Sequence, residues 1–320
     1  MTTMEKISLP LSVPASQASE YRKNFSSLTN SKGRLLLIAG DQKIEHLNND
    51  FFGSGIAPED AEPEHLFRIA RAAKHGALAV PLGLASRYGQ QYRDLNYIIK
   101  INGKTNLGDN EAKDSHKPFW TVDDILRFKK QSKLNIAAIG YTIYLGGRYE
   151  SQLLAAAAQA TWQAHQSGLL SVLWIYPRGK GIKEEDVHTI AGAAGVAASL
   201  DADFVKLKYP VGAKDIKRAA KRYQEVTKAA GRTKVICVGG GQRPASELLA
   251  ELEVQLNISG TSGLAIGRNL HQRPLAEANR LTEAIGAMLW HEAKTKEAIN
   301  LYKGRKKKTP ARNSRFLGLF

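Results

Sequence analysis

An α/β fold, a single (β/α)8 TIM barrel, is the class this sequence predicts, and three observations predict it. Eight short, apolar, β-rich runs recur along the 320 residues. Helical periodicity separates most of them, often ended by a glycine. Polar and glycine residues fall repeatedly at the C-terminal ends of the runs. Strands that alternate with helices pair in parallel and have both sheet faces covered, and eight of them favour closure on themselves.

Residues 1–30 read as an N-terminal extension covering one end of the barrel. The first strand is Leu35 to Ala39, followed by a helix from Glu62 to His75 that Gly76 ends. Ala77 to Leu82 and Tyr97 to Ile101 come next. Residues 84–120 are read as an elaborated loop region with that one strand and no helix. At Thr121-Val122-Asp123-Asp124 the spacing is that of a capping box. Ile136 to Tyr144 is the fourth strand, and a helix from Tyr149 to Ser167 stops at Gly168. Leu169 to Tyr176 and Phe204 to Tyr209 follow, the latter succeeded by a helix from Lys214 to Ala230 that ends at Gly231. These glycines suit the left-handed residue that terminates a helix. Val235 to Val238, a helix from Ala245 to Leu256, Leu264 to Ile266 and a long helix from Pro274 onward complete the ring. No linker or repeat divides residues 31–298, and residues 299–320 form a basic C-terminal tail.

Composition narrows the functional class. The chain is 43% hydrophobic and 24% charged, ample for a globular core. No uninterrupted apolar run approaches the ~18 residues of a membrane span, and the N-terminus lacks a signal peptide's apolar core. The single cysteine, Cys237, forms no internal disulfide, so a reducing, cytoplasmic location is expected. A formal charge of +16 suggests nucleic acid until its distribution is seen: seven basic and no acidic residues lie between Lys303 and Arg315. The plainer reading of that tail is a solvated or subunit-packing C-terminus, with neither nucleic acid nor membrane as partner.

Chemistry concentrates in Trp174-Ile175-Tyr176-Pro177-Arg178-Gly179 and Ala202-Asp203-Phe204-Val205-Lys206-Leu207-Lys208-Tyr209-Pro210. The second segment sets a lysine inside an apolar strand. Burial disfavours the ammonium form, so such a group finds a partner or a depressed pKa. A lysine so treated is a nucleophile toward carbonyl substrates. Lys206 and Lys208 share one strand face. Facing inward, their mutual repulsion would lower the pKa of the deeper one, Lys206, the expected nucleophile. Lys208 is then the alternative nucleophile or a phosphate contact; facing outward, both merely snorkel past the helices.

Tyr176 ends the neighbouring strand, where a phenol can move protons to and from a substrate on Lys206. Trp174, on the same face, walls the pocket or fills the barrel. Asp41 after the first strand orients a hydroxyl, transfers a proton, or caps its loop. Glu45 and His46 are weaker candidates for the same site, and a lone Glu-His pair more often reads as a surface ion pair. Lys100, Asn102 and Arg178 also sit at strand ends. Gly239, Gly240 and Gly241 after strand seven, with Gly267 and Arg268 after strand eight, fit the phosphate site that such barrels build there. The histidines show no metal-binding spacing; no metal or cofactor is expected, and Cys237 reads as a core residue.

Taken in order, Ala39-Gly40-Asp41-Gln42, Ala138 to Gly146, Leu173 to Gly179, Ala202 to Lys206, Gly239-Gly240 and Gly263 to Asn269 resemble the archaeal-type class I fructose-bisphosphate aldolases, which also occur in bacteria. The resemblance covers roughly residues 35–290. It implies metal-free Schiff-base chemistry with Lys206 as imine lysine, Tyr176 as proton carrier, Asp41 as active-site aspartate and Trp174 as pocket wall. It also implies phosphate binding by Gly239, Gly240, Gly267 and Arg268, and a homo-oligomer. Some relatives carry Asp-His-Gly or Asp-Gln-Gly at the first strand, whereas here Lys43 follows Asp41-Gln42. The expected activity is reversible cleavage of fructose 1,6-bisphosphate. The alternatives are another lysine-dependent aldolase or thiolase on a phosphorylated keto sugar, and a non-catalytic barrel with a nucleic-acid-binding tail.

Overall fold

The computed structural model describes residues 7–107, 117–210, 212–238 and 240–305. Parallel strands β1 (Leu35–Ala39), β2 (Ala77–Pro81), β3 (Asn96–Lys100), β4 (Asn135–Leu145), β5 (Leu170–Pro177), β6 (Phe204–Lys208), β7 (Lys234–Val238) and β8 (Gly263–Ile266) form a closed barrel in sequence order. Closure is made by β1 against β8, with Leu37 opposite Ala265. Around it run α3 (Glu64–Ala72), α4 (Leu82–Tyr88), α5 (Val122–Ser132), α6 (Glu150–Gln166), α7 (Val187–Ser199), α8 (Ile216–Ala229), α9 (Ala245–Val254) and α11 (Leu275–His291). Helix α1 (Ala18–Thr29) precedes the barrel, α12 (Thr295–Tyr302) follows it, and two single turns, α2 (Gln42–Glu45) and α10 (Arg268–His271), cap β1 and β8.

Each strand divides its side chains between two apolar layers, because successive Cβ atoms point to opposite faces. Leu36, Ile38, Val205 and Leu207 pack outward beneath the helices. Leu35, Leu37, Val172, Trp174 and Phe204 fill the interior. That alternation places position 206 inside the barrel.

The N-terminal end of the barrel is plugged by α1. Tyr21 and Leu28 join the interior cluster, and Phe25 stacks on Phe204 at 5.8 Å between ring centres. Asn24 Nδ2 donates to the Gly168 carbonyl at 2.8 Å, and Asn96 Nδ2 donates to that of Ser27 at 2.9 Å. The buried His165 on α6 fastens this plug. Its Nε2 lies 3.0 Å from Asp203 Oδ2, and its Nδ1 lies 2.7 Å from Ser12 Oγ and 3.3 Å from Asp201 Oδ2. Tyr21 donates to Asp203 from the other side. Burial works to lower the imidazole pKa, but hydrogen bonds to Asp201 and Asp203 prevail and raise it to about 9.

Several local expectations are corrected. The helix after β1 covers only Glu64–Ala72, and Gly76 does not terminate it. Gly76 instead has φ +97°, and a Cβ there would lie 2.4 Å from the Leu36 carbonyl oxygen, so it allows a close crossing of β1. Residues 84–120 do hold a helix: α4 starts directly after Pro81, too short to show a helical period. The Thr121 capping box is present, with Asp124 N donating to Thr121 Oγ1 at 3.1 Å and Thr121 N to Asp124 Oδ2 at 2.9 Å. Gly168 and Gly231 are left-handed, at φ +71° and +58°. Gly239 and residues 306–320, which hold most of the basic tail, lie outside the described residues.

His165 gives a pH signature. A histidine pKa raised from about 6.5 to about 9 on folding contributes stability that is complete below pH 6.5 and lost as pH climbs through 9. The stability difference between wild type and His165→Gln, from chemical denaturation, is therefore expected to shrink between pH 6.5 and 9. A difference constant across that window would contradict the charged pairing.

Candidate active site

Lys206 lies on the interior face of β6, 2% exposed, directly opposite Trp174 of β5 in the ladder. Its Nζ sits 5.2 Å from the centre of the Trp174 ring. Burial lowers its pKa; the charges of Asp41 and Glu45 oppose the shift, and that of Arg268 adds to it. Lys208 plays no part in that balance, contrary to the sequence expectation. It sits at the rim, half-buried, with Nζ 2.7 Å from Glu184 Oε2.

The second interior ammonium is Lys100, at the end of β3 and 4% exposed. The sequence reading placed it on the rim and gave it no role. Its Nζ donates to Asn102 O at 3.0 Å and Oδ1 at 3.2 Å, and lies 5.5 Å from the centre of the Trp174 ring. Burial pushes its pKa down to about 8; Asp41 and Glu45 oppose this, and Lys206 reinforces it. The like charge that acts on Lys206 is thus Arg268, while Lys206 itself acts on Lys100. Trp174 has room because β4 carries Gly140, where a Cβ would fall 2.7 Å from the indole and 3.2 Å from Lys100 Cδ.

Asp41 follows β1, buried, with Oδ1 lacking a hydrogen-bond partner. Although it precedes α2, its side chain makes no capping hydrogen bond, so the capping reading fails. Tyr176 sits above Trp174 on β5, its ring 5.8 Å from that of Tyr144. Burial, then Asp41 and Glu45, push its phenol pKa well up, so it is protonated at neutral pH. Glu45 faces this cluster and accepts from Tyr144 OH at 2.6 Å. It is not paired with His46, which binds Asp50 instead.

On the β7–β8 side, Gly240 has φ +60°. Gly267 is confined by Gln42, whose Oε1 would lie 2.2 Å from a Cβ at that position. Asn269 joins the two loops: its Oδ1 accepts from Arg243 N at 3.0 Å and its Nδ2 donates to Gly241 O at 2.7 Å. Arg268 Nε lies 3.7 Å from Asp50 Oδ2. Arg178 stands across the mouth, its guanidinium 4.5 Å from the Tyr144 ring centre and 5.4 Å from that of Tyr176. The arrangement offers a neutralisable amine, a protonated phenol and carboxylates within one low-dielectric mouth, with cations at its edges. That set suits condensation with a carbonyl followed by proton transfer.

Comparison with known proteins agrees with this chemistry. A sequence profile of the DeoC/LacD family aldolases matches residues 35–273. The chain is 46% identical over 302 residues to a Methanocaldococcus jannaschii protein described as fructose-bisphosphate aldolase/6-deoxy-5-ketofructose 1-phosphate synthase, covering 94% of this chain and 96% of that one. It superimposes on a fructose-bisphosphate aldolase from Slackia heliotrinireducens with TM-score 0.90 at 42% identity, covering 96% of each. An archaeal fructose-1,6-bisphosphate aldolase, solved with its catalytic Lys bound to the substrate's carbinolamine, gives TM-score 0.71 at 29% identity, covering 83% of this chain and 98% of that one.

Because Asp41 holds the Lys206 pKa up against burial, Asp41→Asn is expected to lower it further. The rate of Lys206 acetylation by acetic anhydride, read by peptide mass against pH, then reaches half its maximum at a lower pH in the variant than in wild type. A midpoint moved upward, or unmoved, would show that Asp41 does not act on Lys206.

Proposed function

The chain belongs to the DeoC/LacD family of aldolases, and on that premise we propose that it is a class I, Schiff-base-forming fructose-bisphosphate aldolase, a lyase of glycolysis and gluconeogenesis. The observation that carries this reading is Lys206: a lysine buried inside the barrel beside the Trp174 ring, with its pKa depressed by burial. Neutral Lys206 attacks C2 of the open-chain sugar to give a carbinolamine. The Tyr176 phenol protonates the departing hydroxyl, and water leaves to form the iminium. The resulting phenolate takes the C4 hydroxyl proton as the C3–C4 electron pair moves into the iminium, releasing glyceraldehyde 3-phosphate. Tyr176 then protonates C3 of the enamine, and hydrolysis frees dihydroxyacetone phosphate and Lys206.

Asp41 orients the substrate hydroxyls, and Trp174 forms the wall against which the imine lies. Gly239, Gly240, Gly267 and Arg268 receive the C1 phosphate; Arg178 and Lys208 face the other end. Lys100 and Glu45 join this set as further charge-balancing groups. We read the protein as a cytoplasmic homo-oligomer; the exposed side chains of Phe52, Leu107, Phe119 and Trp120 support association. A second reading has specific support in the Methanocaldococcus jannaschii relative, whose name includes synthesis of a 6-deoxy ketosugar 1-phosphate. Both products need an imine at C2 and a C1 phosphate, so one site serves either.

The test is cleavage of fructose 1,6-bisphosphate in EDTA. Wild type is expected to be active, Lys206→Met to lose at least about 1,000-fold in kcat, and Tyr176→Phe about 100-fold or more. Cleavage undiminished in Lys206→Met would contradict the assignment.

A further inference from the structure

We infer that Glu184 sets the preference for a sugar carrying a second, distal phosphate by holding Arg178 and Lys208 in place to receive it. The inference rests on the aldolase reading above. Glu184 lies in the connection between β5 and α7 and bridges the ends of two strands. Its Oε1 accepts from Arg178 Nε at 2.8 Å and its Oε2 from Lys208 Nζ at 2.7 Å. Glu185 stands farther off, 3.9 Å from the same ammonium. Burial acts to raise the Glu184 pKa, but hydrogen bonds from both cations hold it below the usual range, so it remains a carboxylate at neutral pH.

The way the bridge is made leaves binding capacity free. Glu184 takes the Nε of Arg178, and among the described residues no hydrogen bond is made by its Nη groups. The guanidinium face is fixed against Tyr144 and Tyr176, which limits its rotation. Lys208 keeps donors beyond the one directed at Glu184. One carboxylate hydrogen-bonded to both cations sets their geometry in advance, and a pre-ordered site loses less entropy on binding.

Position around the barrel gives the site its meaning. Lys206 is on β6, with the glycine loops and Arg268 on the β7–β8 side and Arg178 at the end of β5. A sugar joined through C2 to Lys206, with its C1 phosphate toward β8, directs its C3–C6 chain across the mouth toward β5. The distal phosphate then meets the free edge of Arg178 and Lys208. Glu184 touches no reacting atom; it acts through the two cations.

The experiment compares kcat/KM for fructose 1,6-bisphosphate with that for fructose 1-phosphate, which lacks the distal group. In Glu184→Ala the ratio of the two is expected to fall about tenfold, equivalent to about 1.4 kcal/mol, with the change in KM for the bisphosphate. Glu184→Gln, which keeps the shape and one acceptor for Arg178, is expected to fall less, and Glu184→Asp to restore part of the ratio. Adding Glu184→Ala to Arg178→Ala is expected to lower the ratio by much less than it does alone, because the positioned group is already gone. An unchanged ratio would overturn the inference, and a raised one would show that Glu184 competes with the phosphate. Cleavage of neither sugar by wild type would remove the aldolase reading itself, and this inference with it.

Discussion

The site depends on the cost of keeping an ammonium group in the interior of a closed barrel. Lys206 is buried in the interior layer beside Trp174, so desolvation disfavours its charged form and the carboxylates of Asp41 and Glu45 offset only part of that cost. The pairing is deliberately incomplete. A close carboxylate partner would stabilise the ammonium and end its use as a nucleophile; Asp41 and Glu45 act through the field instead. Lys100, held by Asn102 and also beside the indole, is a second buried cation in the same interior.

The barrel supplies what that balance requires. Alternation along β6 puts residue 206 inside and residues 205 and 207 beneath the helices, and a slip of one residue would reverse them. Gly140 on β4 makes space for the indole, and Gly267 makes space for Gln42. At the opposite end α1 and the His165 cluster close the interior from below. A packed interior under the mouth and charged groups on the loops around it divide the work between fold and loops.

The strands were legible because a strand covered on both faces is a short continuous apolar run, and β1 spans the very residues the pattern marks. The helix ends at Gly168 and Gly231 were legible because left-handed backbone favours glycine. Helix α4 was not, since seven residues starting beside a proline display no period. Lys206, Trp174, Tyr176, Asp41 and Arg268 could be nominated from strand ends. The like charges around Lys206 could not: Lys208, two residues away, was the local candidate, while Arg268 and Lys100 arrive from the ends of β8 and β3 only when the barrel closes. Glu45, Gly140 and Glu184 likewise owe their roles to contacts between elements distant in sequence.

The most direct test of the account is to locate the covalent adduct. The protein is reduced with borohydride in the presence of dihydroxyacetone phosphate and EDTA, digested, and mapped by mass spectrometry. The account requires one substrate-sized adduct on Lys206. An adduct on Lys208 or Lys100, or none at all, would contradict it.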